Sequence, residues 1–279
     1  MRIDGLLTRA AERLGQTGSP SPRLDAEVLL CHVLEVDRTW LYTWGDRTID
    51  IFPRARFEAL VAARAAGQPV AYLTGEREFW GLPLATSADT LIPRPDTETL
   101  VEVLLELAVT ESGSLLDLGT GTGAIALAFA SERPAWEVHG VDCVEPAVAL
   151  AADNARRLGF GNVRFRCSDW FASLAGERFT LIASNPPYID AQDPHLVQGD
   201  VRFEPHSALV AEDAGLADLR HLVEQSAAHL EPGGWLALEH GHTQGAAVRA
   251  LLIAKGYQAV TSRRDLGGNE RVTFGQLSR

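Results

Sequence analysis

Asn185-Pro186-Pro187-Tyr188 is a tetrapeptide whose residue types point to chemistry more than to folding. Two successive prolines lock φ and remove two N–H donors, so the nearby carbonyls are not absorbed into a sheet ladder and are free to accept from a ligand. Asn185 adds a side-chain carbonyl, and Tyr188 a flat ring with a polar tip. This set suits a planar NH₂ group, amide or aniline-like, whose lone pair is delocalised and poorly nucleophilic. Acceptors at the Asn185 side-chain oxygen and the Pro186 backbone oxygen hold both N–H bonds, favour pyramidalisation and point the lone pair at a methyl donor. Orientation and preorganisation then supply the rate, with no strong base.

A second constellation is Asp117-Leu118-Gly119-Thr120-Gly121-Thr122-Gly123-Ala124, with Asp142 following 19 residues after Gly123. Glycines let a strand turn sharply into a helix and let a ligand approach where a Cβ would collide. An acid at the Asp142 spacing suits ribose hydroxyls. A dinucleotide loop spaces its glycines GxGxxG to receive a pyrophosphate. Here the third glycine falls one place early, and Asp117 brings negative charge to the loop, which favours a cationic ligand such as S-adenosylmethionine over NAD. Ser168-Asp169-Trp170-Phe171 follows a later strand, and Trp170 offers a flat wall for an adenine.

Other polar residues are less specific. Arg94, Glu98, Glu204, Glu239 and Asn269 fall in loops or at strand ends and read equally well as caps or ion pairs. His195, His206, His240 and His242 lack metal-ligand spacing, so no metal is expected. Cys31, Cys143 and Cys167 form no CxxC pair and are expected as small buried hydrophobes in a reducing compartment.

Positioning these groups requires particular elements. Ile3, Leu6, Leu7, Ala10 and Leu14 recur at helical spacing, Ser21-Pro22 reads as a cap and first turn, and a third helix is expected from about Pro53 to Ala66. Residues 1–70 thus form a small helical domain. Residues 71–90, with REFWGLPLA as a hairpin, form a linker. Residues 91–279 form the ligand-binding domain. There Asp96 or Thr97 is expected to cap a helix through about Val109. Strands are expected near Ser114–Leu118, Glu137–Val141, Val163–Cys167, Thr180–Ala183, Trp235–Glu239, Ala259–Arg263 and Arg271–Gly275. Helix-length segments between most of them indicate a parallel sheet covered on both faces, with the last two strands antiparallel at one edge.

Composition narrows the partners. The chain has 279 residues, 46% hydrophobic and 22% charged, and a net charge of −12. Residues 1–70 are neutral, so the remainder carries the whole excess, opposite to the sign that phosphate binding requires. No apolar run approaches a membrane span, and no secretory signal precedes the first helix, so a cytoplasmic location is expected.

Taken in order, REFWGLPL, LIPRPDTE, DLGTGTGAIALA, SDWF, SNPPYID, DVRFEPHSALV, LEHG and GGNERVT closely resemble the bacterial release factor glutamine methyltransferases, the HemK family, over essentially the whole chain. The resemblance implies an α/β class I methyltransferase fold, Rossmann-like, with a mostly parallel seven-stranded sheet preceded by the helical domain and hairpin linker. It implies S-adenosyl-L-methionine as cofactor, with S-adenosyl-L-homocysteine as product. The implied reaction is N5-methylation of the glutamine in the Gly-Gly-Gln motif of class 1 translation termination release factors. Carried over by position, Gly119, Thr120, Gly121, Thr122 and Gly123 line the methionine part of the cofactor, Asp142 the ribose and Trp170 the adenine. Asn185, Pro186, Pro187 and Tyr188 receive the glutamine, with Asn185 also near the donor. The helical domain and ribbon would help hold the release factor, with no direct nucleic-acid or membrane contact. An adenine-N6 DNA or RNA methyltransferase shares the loop and tetrapeptide and is the alternative, but it should carry a basic surface.

Overall fold

A computed structural model describes residues 1–278. Two compact units divide the chain, one of Met1–Glu76 with Pro194–Phe203 and one of Arg77–Asp193 with the chain from Glu204 on.

In the first unit, the apolar stripe noted above is buried along α1 (Ile3–Gln16). It packs with Leu29 and Leu30 of α2 (Pro22–Leu34), Leu41 of α3 (Arg38–Thr43), and Phe57 and Val61 of α4 (Ile51–Ala65). Pro22 opens α2, but the Ser21 hydroxyl donates to Asp25 and does not cap the backbone. Asp25 is buried and receives the Arg64 guanidinium at 2.7 Å, which also reaches Asp200 at 2.5 Å. A charge removed from water needs such partners. This shared arginine draws Pro194–Phe203, which follows the Asn185–Tyr188 tetrapeptide in sequence, into the helical unit. The linker expected over residues 71–90 opens on another helical turn after Pro69, α5 (Val70–Thr74), which Gly75 ends in the left-handed region.

The hairpin itself is β1 (Glu76–Phe79) and β2 (Leu82–Ala85). Its two-residue turn, Trp80-Gly81, has φ of 54° and 72°, the doubly positive pattern that matches strand twist. A 3-10 turn at Pro95–Thr97 leads into α6 (Glu98–Leu107). Neither Asp96 nor Thr97 caps that helix through its side chain.

The second unit then alternates β3 (Ser114–Leu118), α7 (Ala124–Glu132), β4 (Glu137–Asp142), α8 (Glu145–Leu158), β5 (Val163–Cys167) and β6 (Phe179–Ser184). A short turn α9 (Glu212–Gly215), α10 (Ala217–Ser226), β7 (Leu230–Glu239), α11 (Gly245–Ala254), β8 (Gln258–Arg264) and β9 (Glu270–Gln276) complete it. The strands form one sheet in the order β5-β4-β3-β6-β7-β9-β8, with only β9 antiparallel to its neighbours. β9 is inserted between β7 and β8, so β8 alone forms that edge. Central strands are apolar throughout because helices cover both faces. Leu115 packs in one layer with α6 and α7, while Leu116 and Leu118 pack in the other with α10 and α11. Among the described residues, no helix is long and apolar enough to cross a membrane. Contrary to expectation the cysteines are not core residues: Cys143 and Cys167 are exposed at the carboxyl ends of β4 and β5, and Cys31 is half-buried.

Register places the site. Leu118 pairs with Ser184 on β6 and with Val141 on β4, so Gly119, Asn185 and Asp142 each follow the same rung. Gly140 sits one step below, and the space a side chain would fill there is taken by the Phe165 ring and the Thr120 hydroxyl. A Cβ would lie 2.4 Å from Phe165 and 2.7 Å from Thr120 Oγ1. Gly140→Ala is therefore expected to lower stability by about 1–3 kcal/mol through overpacking. The reading is a drop in the urea midpoint with an unchanged denaturant slope; an unchanged midpoint would show that the ring and hydroxyl yield freely.

Candidate active site

Gly119 and Thr120 both donate their N–H groups to Val141 O at 2.9 Å, and Gly123 N closes the turn on Thr120 O at 2.8 Å. All three loop glycines have positive φ. Their roles differ. A Cβ on Gly121 would meet nothing within 4 Å, so its side faces open space. A Cβ on Gly123 would press on Phe165, Leu127 and Ala151 at 3.1 to 3.3 Å, so this glycine serves helix packing. Asn154 of α8 steadies the turn from behind, donating to Thr122 O at 2.9 Å while pairing with the Ala85 backbone of the hairpin.

The loop bounds a cavity of about 270 Å³ whose wall includes Gly119, Thr120, Gly121, Thr122, Asp142, Trp170, Asn185 and Pro187. Gly123, Pro186 and Tyr188, expected from sequence to contact ligand, are not among the residues that line it. Asp142 is held by two backbone donors, Gly121 N on Oδ2 at 3.0 Å and Val144 N on Oδ1 at 2.9 Å. A carboxylate has about four acceptor positions, so lone pairs remain for ribose hydroxyls. Trp170 is held in the left-handed region, φ 44°, with the Ser168 hydroxyl donating to its carbonyl at 2.8 Å. Such a conformation is costly for a non-glycine residue. Its indole lies 3.5 Å from where a Gly119 Cβ would stand, making it a wall over the loop.

Asp117 behaves differently from the sequence expectation. It is fully buried beneath the loop and does not line the cavity. Thr120 donates to its Oδ2 at 2.6 Å, Oδ1 has no partner at full hydrogen-bond geometry among the described residues, and burial pushes its pKa up to about 7. The negative wall comes instead from Asp89, Asp142, Asp169 and Asp218. Among the described residues, Arg94 is the one basic residue lining the cavity, and it is paired with buried Glu204. The balance suits a cationic ligand with a ribose and a flat base, as S-adenosylmethionine has.

On the opposite side, Ser184 Oγ donates to Leu118 O at 2.7 Å and ties the end of β6 to β3. Asn185 Nδ2 donates to Thr97 Oγ1 at 3.3 Å, which commits the NH₂ end of the amide and leaves its oxygen for a ligand. Among the described residues, no donor reaches the Pro186 carbonyl. Tyr188 O accepts from Gln244 Nε2 at 3.1 Å. The carbonyl also lies where a Gly215 side chain would collide, 2.1 Å from that Cβ position. The Tyr188 hydroxyl lies 3.3 Å from Glu239 Oε1, and burial and that carboxyl hold it protonated far above the ordinary range.

The remaining polar residues sort by contact. Glu204 accepts from Ile92 N at 2.9 Å as well as from Arg94, holding the segment before Pro95. Glu98 accepts from Trp80 N in the hairpin turn. Asn269 belongs to a turn closed on Asp265, which with Asp96 holds Arg271. Thr97, Asn154 and Arg271 were not singled out by sequence. Thr97 reads there as a helix cap, and nothing local signals a partner 88 positions away.

Comparison with known proteins agrees with this geometry. The family profile described as the PrmC N-terminal domain matches residues 5–75, and that described as the methyltransferase small domain matches residues 94–200. The release factor glutamine methyltransferase of Vibrio cholerae serotype O1 is 54% identical over 275 residues, 98% of this chain and 96% of that protein. The Pseudomonas aeruginosa protein of the same name is 55% identical, over 92% of this chain and 94% of its own. A methyltransferase structure from Pyrococcus furiosus shares the fold at a TM-score of 0.55 and 19% identity, covering 80% of this chain and 98% of that one. With a nearly full-length match, the cavity and the tetrapeptide fall within one known lineage, and the chain belongs to the release factor glutamine methyltransferase family.

Proposed function

We propose that the Asn185 side-chain oxygen and the Pro186 carbonyl oxygen hold the two N–H bonds of a glutamine side-chain amide, presenting its nitrogen to the cavity. The chain is an S-adenosylmethionine-dependent methyltransferase acting on release-factor glutamine at N5. Bound S-adenosylmethionine supplies a methyl group on a cationic sulfur. Asp142 would accept from its ribose, Trp170 would wall its adenine, and Gly121 would leave room for its methionine part. The acidic lining complements its positive charge.

The observation that carries the acceptor assignment is the Thr97 contact, which fixes the Asn185 amide with its oxygen free. Acceptors on both N–H bonds draw the nitrogen out of conjugation with its carbonyl, and the cavity places it for transfer. Pro187 borders the same space. The substrate in this reading is the Gly-Gly-Gln glutamine of class 1 release factors, recognised with the help of the helical unit. An acidic enzyme approaches a basic face of that protein, and neither nucleic acid nor a membrane is bound directly. Three free cysteines fit a cytoplasmic setting.

Labelled S-adenosylmethionine incubated with a purified release factor or with duplex DNA tests the substrate: label is expected on the Gly-Gly-Gln peptide, and label on adenine would overturn the assignment. Asn185→Ala is expected to keep the fold and donor affinity but to lose about 2–4 kcal/mol of transition-state stabilisation, roughly 30- to 10³-fold in kcat. Undiminished turnover by that variant would remove the role given to Asn185. Gly121→Val is expected to weaken donor binding by intrusion into the cavity, read by calorimetry, and an unchanged affinity would show that the ligand does not pass there.

A further inference from the structure

Behind Thr97 and Tyr188 lies a carboxyl that the reaction as described leaves unused. Glu239 ends β7 and is only 1% exposed. Its Oε1 faces the Tyr188 hydroxyl at 3.3 Å. Its Oε2 has no partner at full hydrogen-bond geometry, and the Thr97 hydroxyl favours the charged form from a looser position. Thr97 Oγ1 in turn accepts from Asn185 Nδ2. Asn185 with Thr97 and Tyr188 with Glu239 thus form two hydrogen-bonded pairs, which meet where the Thr97 hydroxyl approaches the Glu239 carboxyl short of a full hydrogen bond.

The direction of these contacts follows from proton counting. A hydroxyl owns one proton, so Thr97, having accepted from Asn185, offers its own proton toward Glu239. A carboxylate only accepts, so Thr97 and Tyr188 both point toward it, and Asn185 must give Thr97 its NH₂ end. A protonated Glu239 has a proton to donate. Once Thr97 receives it, the Thr97 proton turns toward Asn185, and the amide is satisfied by presenting its oxygen to Thr97. Its NH₂ end then faces the cavity, donor against the donors of the substrate amide.

We propose that Glu239 is a positioning residue: as a carboxylate it fixes, through Thr97 and with Tyr188 as its second donor, which end of the Asn185 amide meets the substrate nitrogen. This rests on the reading of Asn185 as an acceptor. The groups facing the carboxyl are Tyr188 after β6, Thr97 and Asp96 before α6, and Arg271 on β9. Arg94 bears on Tyr188, and Asp265 is paired with Arg271. Burial outweighs the attraction of Arg271 and pushes the Glu239 pKa up to about 7, so the carboxylate is lost as pH falls through neutrality.

The test is the pH profile of kcat at saturating donor and release factor. The native chain is expected to hold a plateau above about pH 7 and to fall toward tenfold per unit below it. Glu239→Gln should lose that acid limb and run about tenfold or more below the native plateau, with donor affinity by calorimetry unchanged. Thr97→Val should lower kcat similarly, and Thr97→Ser should restore it. A native limb and native kcat in Glu239→Gln overturn the proposal. Should that variant fail to fold, native kcat in Thr97→Val overturns it equally, while loss there with rescue by serine supports it. Full turnover by Asn185→Ala would instead sink the acceptor reading beneath it; an inactive Asn185→Ala beside a native-like Glu239→Gln removes only the role of Glu239.

Discussion

The chain must leave β3 and enter α7 within five residues while keeping side chains out of the space above the turn, and much of the site depends on meeting that constraint. Gly119, Gly121 and Gly123 meet it with left-handed conformations that other residues adopt only at a cost. The loop is then fastened from below. Val141 O takes two of its N–H groups, Thr120 reaches down to Asp117, and Phe165 fills the gap over Gly140. A carboxyl buried at that point is unfavourable as an anion, which is why its pKa rises. The structure tolerates it beneath the loop because the Thr120 hydroxyl satisfies one oxygen.

Parallel pairing brings the second half of the site to the first. Leu118 and Ser184 share a rung, and the Ser184 hydroxyl bonded to Leu118 O holds the two strand ends together. Two residues 66 apart in sequence, Gly119 and Asn185, therefore leave the sheet side by side. The donor half is built mainly of backbone that avoids contact, while the acceptor half is built of a side chain that must point one way. Rotating a glycine loop slightly costs little specificity. Inverting an amide exchanges an acceptor for a donor, so the Thr97 contact bears on which end of Asn185 is left free.

What was legible in the sequence follows the same division. Strands buried on both faces are nearly continuous apolar runs, and the glycine loop and tetrapeptide punctuate their ends, so the sheet and its ligand-bearing edge could be read locally. Short helices such as α3 and α5 carry too few turns for periodicity to show. The pull of Arg64 on Asp200 spans 136 positions and leaves no local trace, so Pro194–Phe203 reads as part of the catalytic half. Asp117 and Asp142 look alike in sequence, yet burial makes one a structural group and leaves the other on the cavity wall. Thr97 and Glu239 were visible only as a possible cap and a strand end, because their meaning lies in contacts across the fold.

The same polarity that activates an amide also selects it. In the proposed arrangement, Asn185 and Pro186 offer two acceptors and no donor toward the substrate. A glutamine NH₂ satisfies both, whereas a glutamate carboxylate would bring its own acceptors against them in a confined site. Leaving buried acceptors unpaired costs about 1–3 kcal/mol each, before any repulsion between oxygens is counted. Discrimination between near-isosteric side chains is strongest where a site is built to bond a group that the competitor lacks. A basic side chain in place of Asn185 would forfeit that discrimination, because a cation attracts the carboxylate that the neutral acceptor rejects. With the acceptors activating the nitrogen by orientation, as proposed, a neutral amide at this position would serve rate and selectivity together.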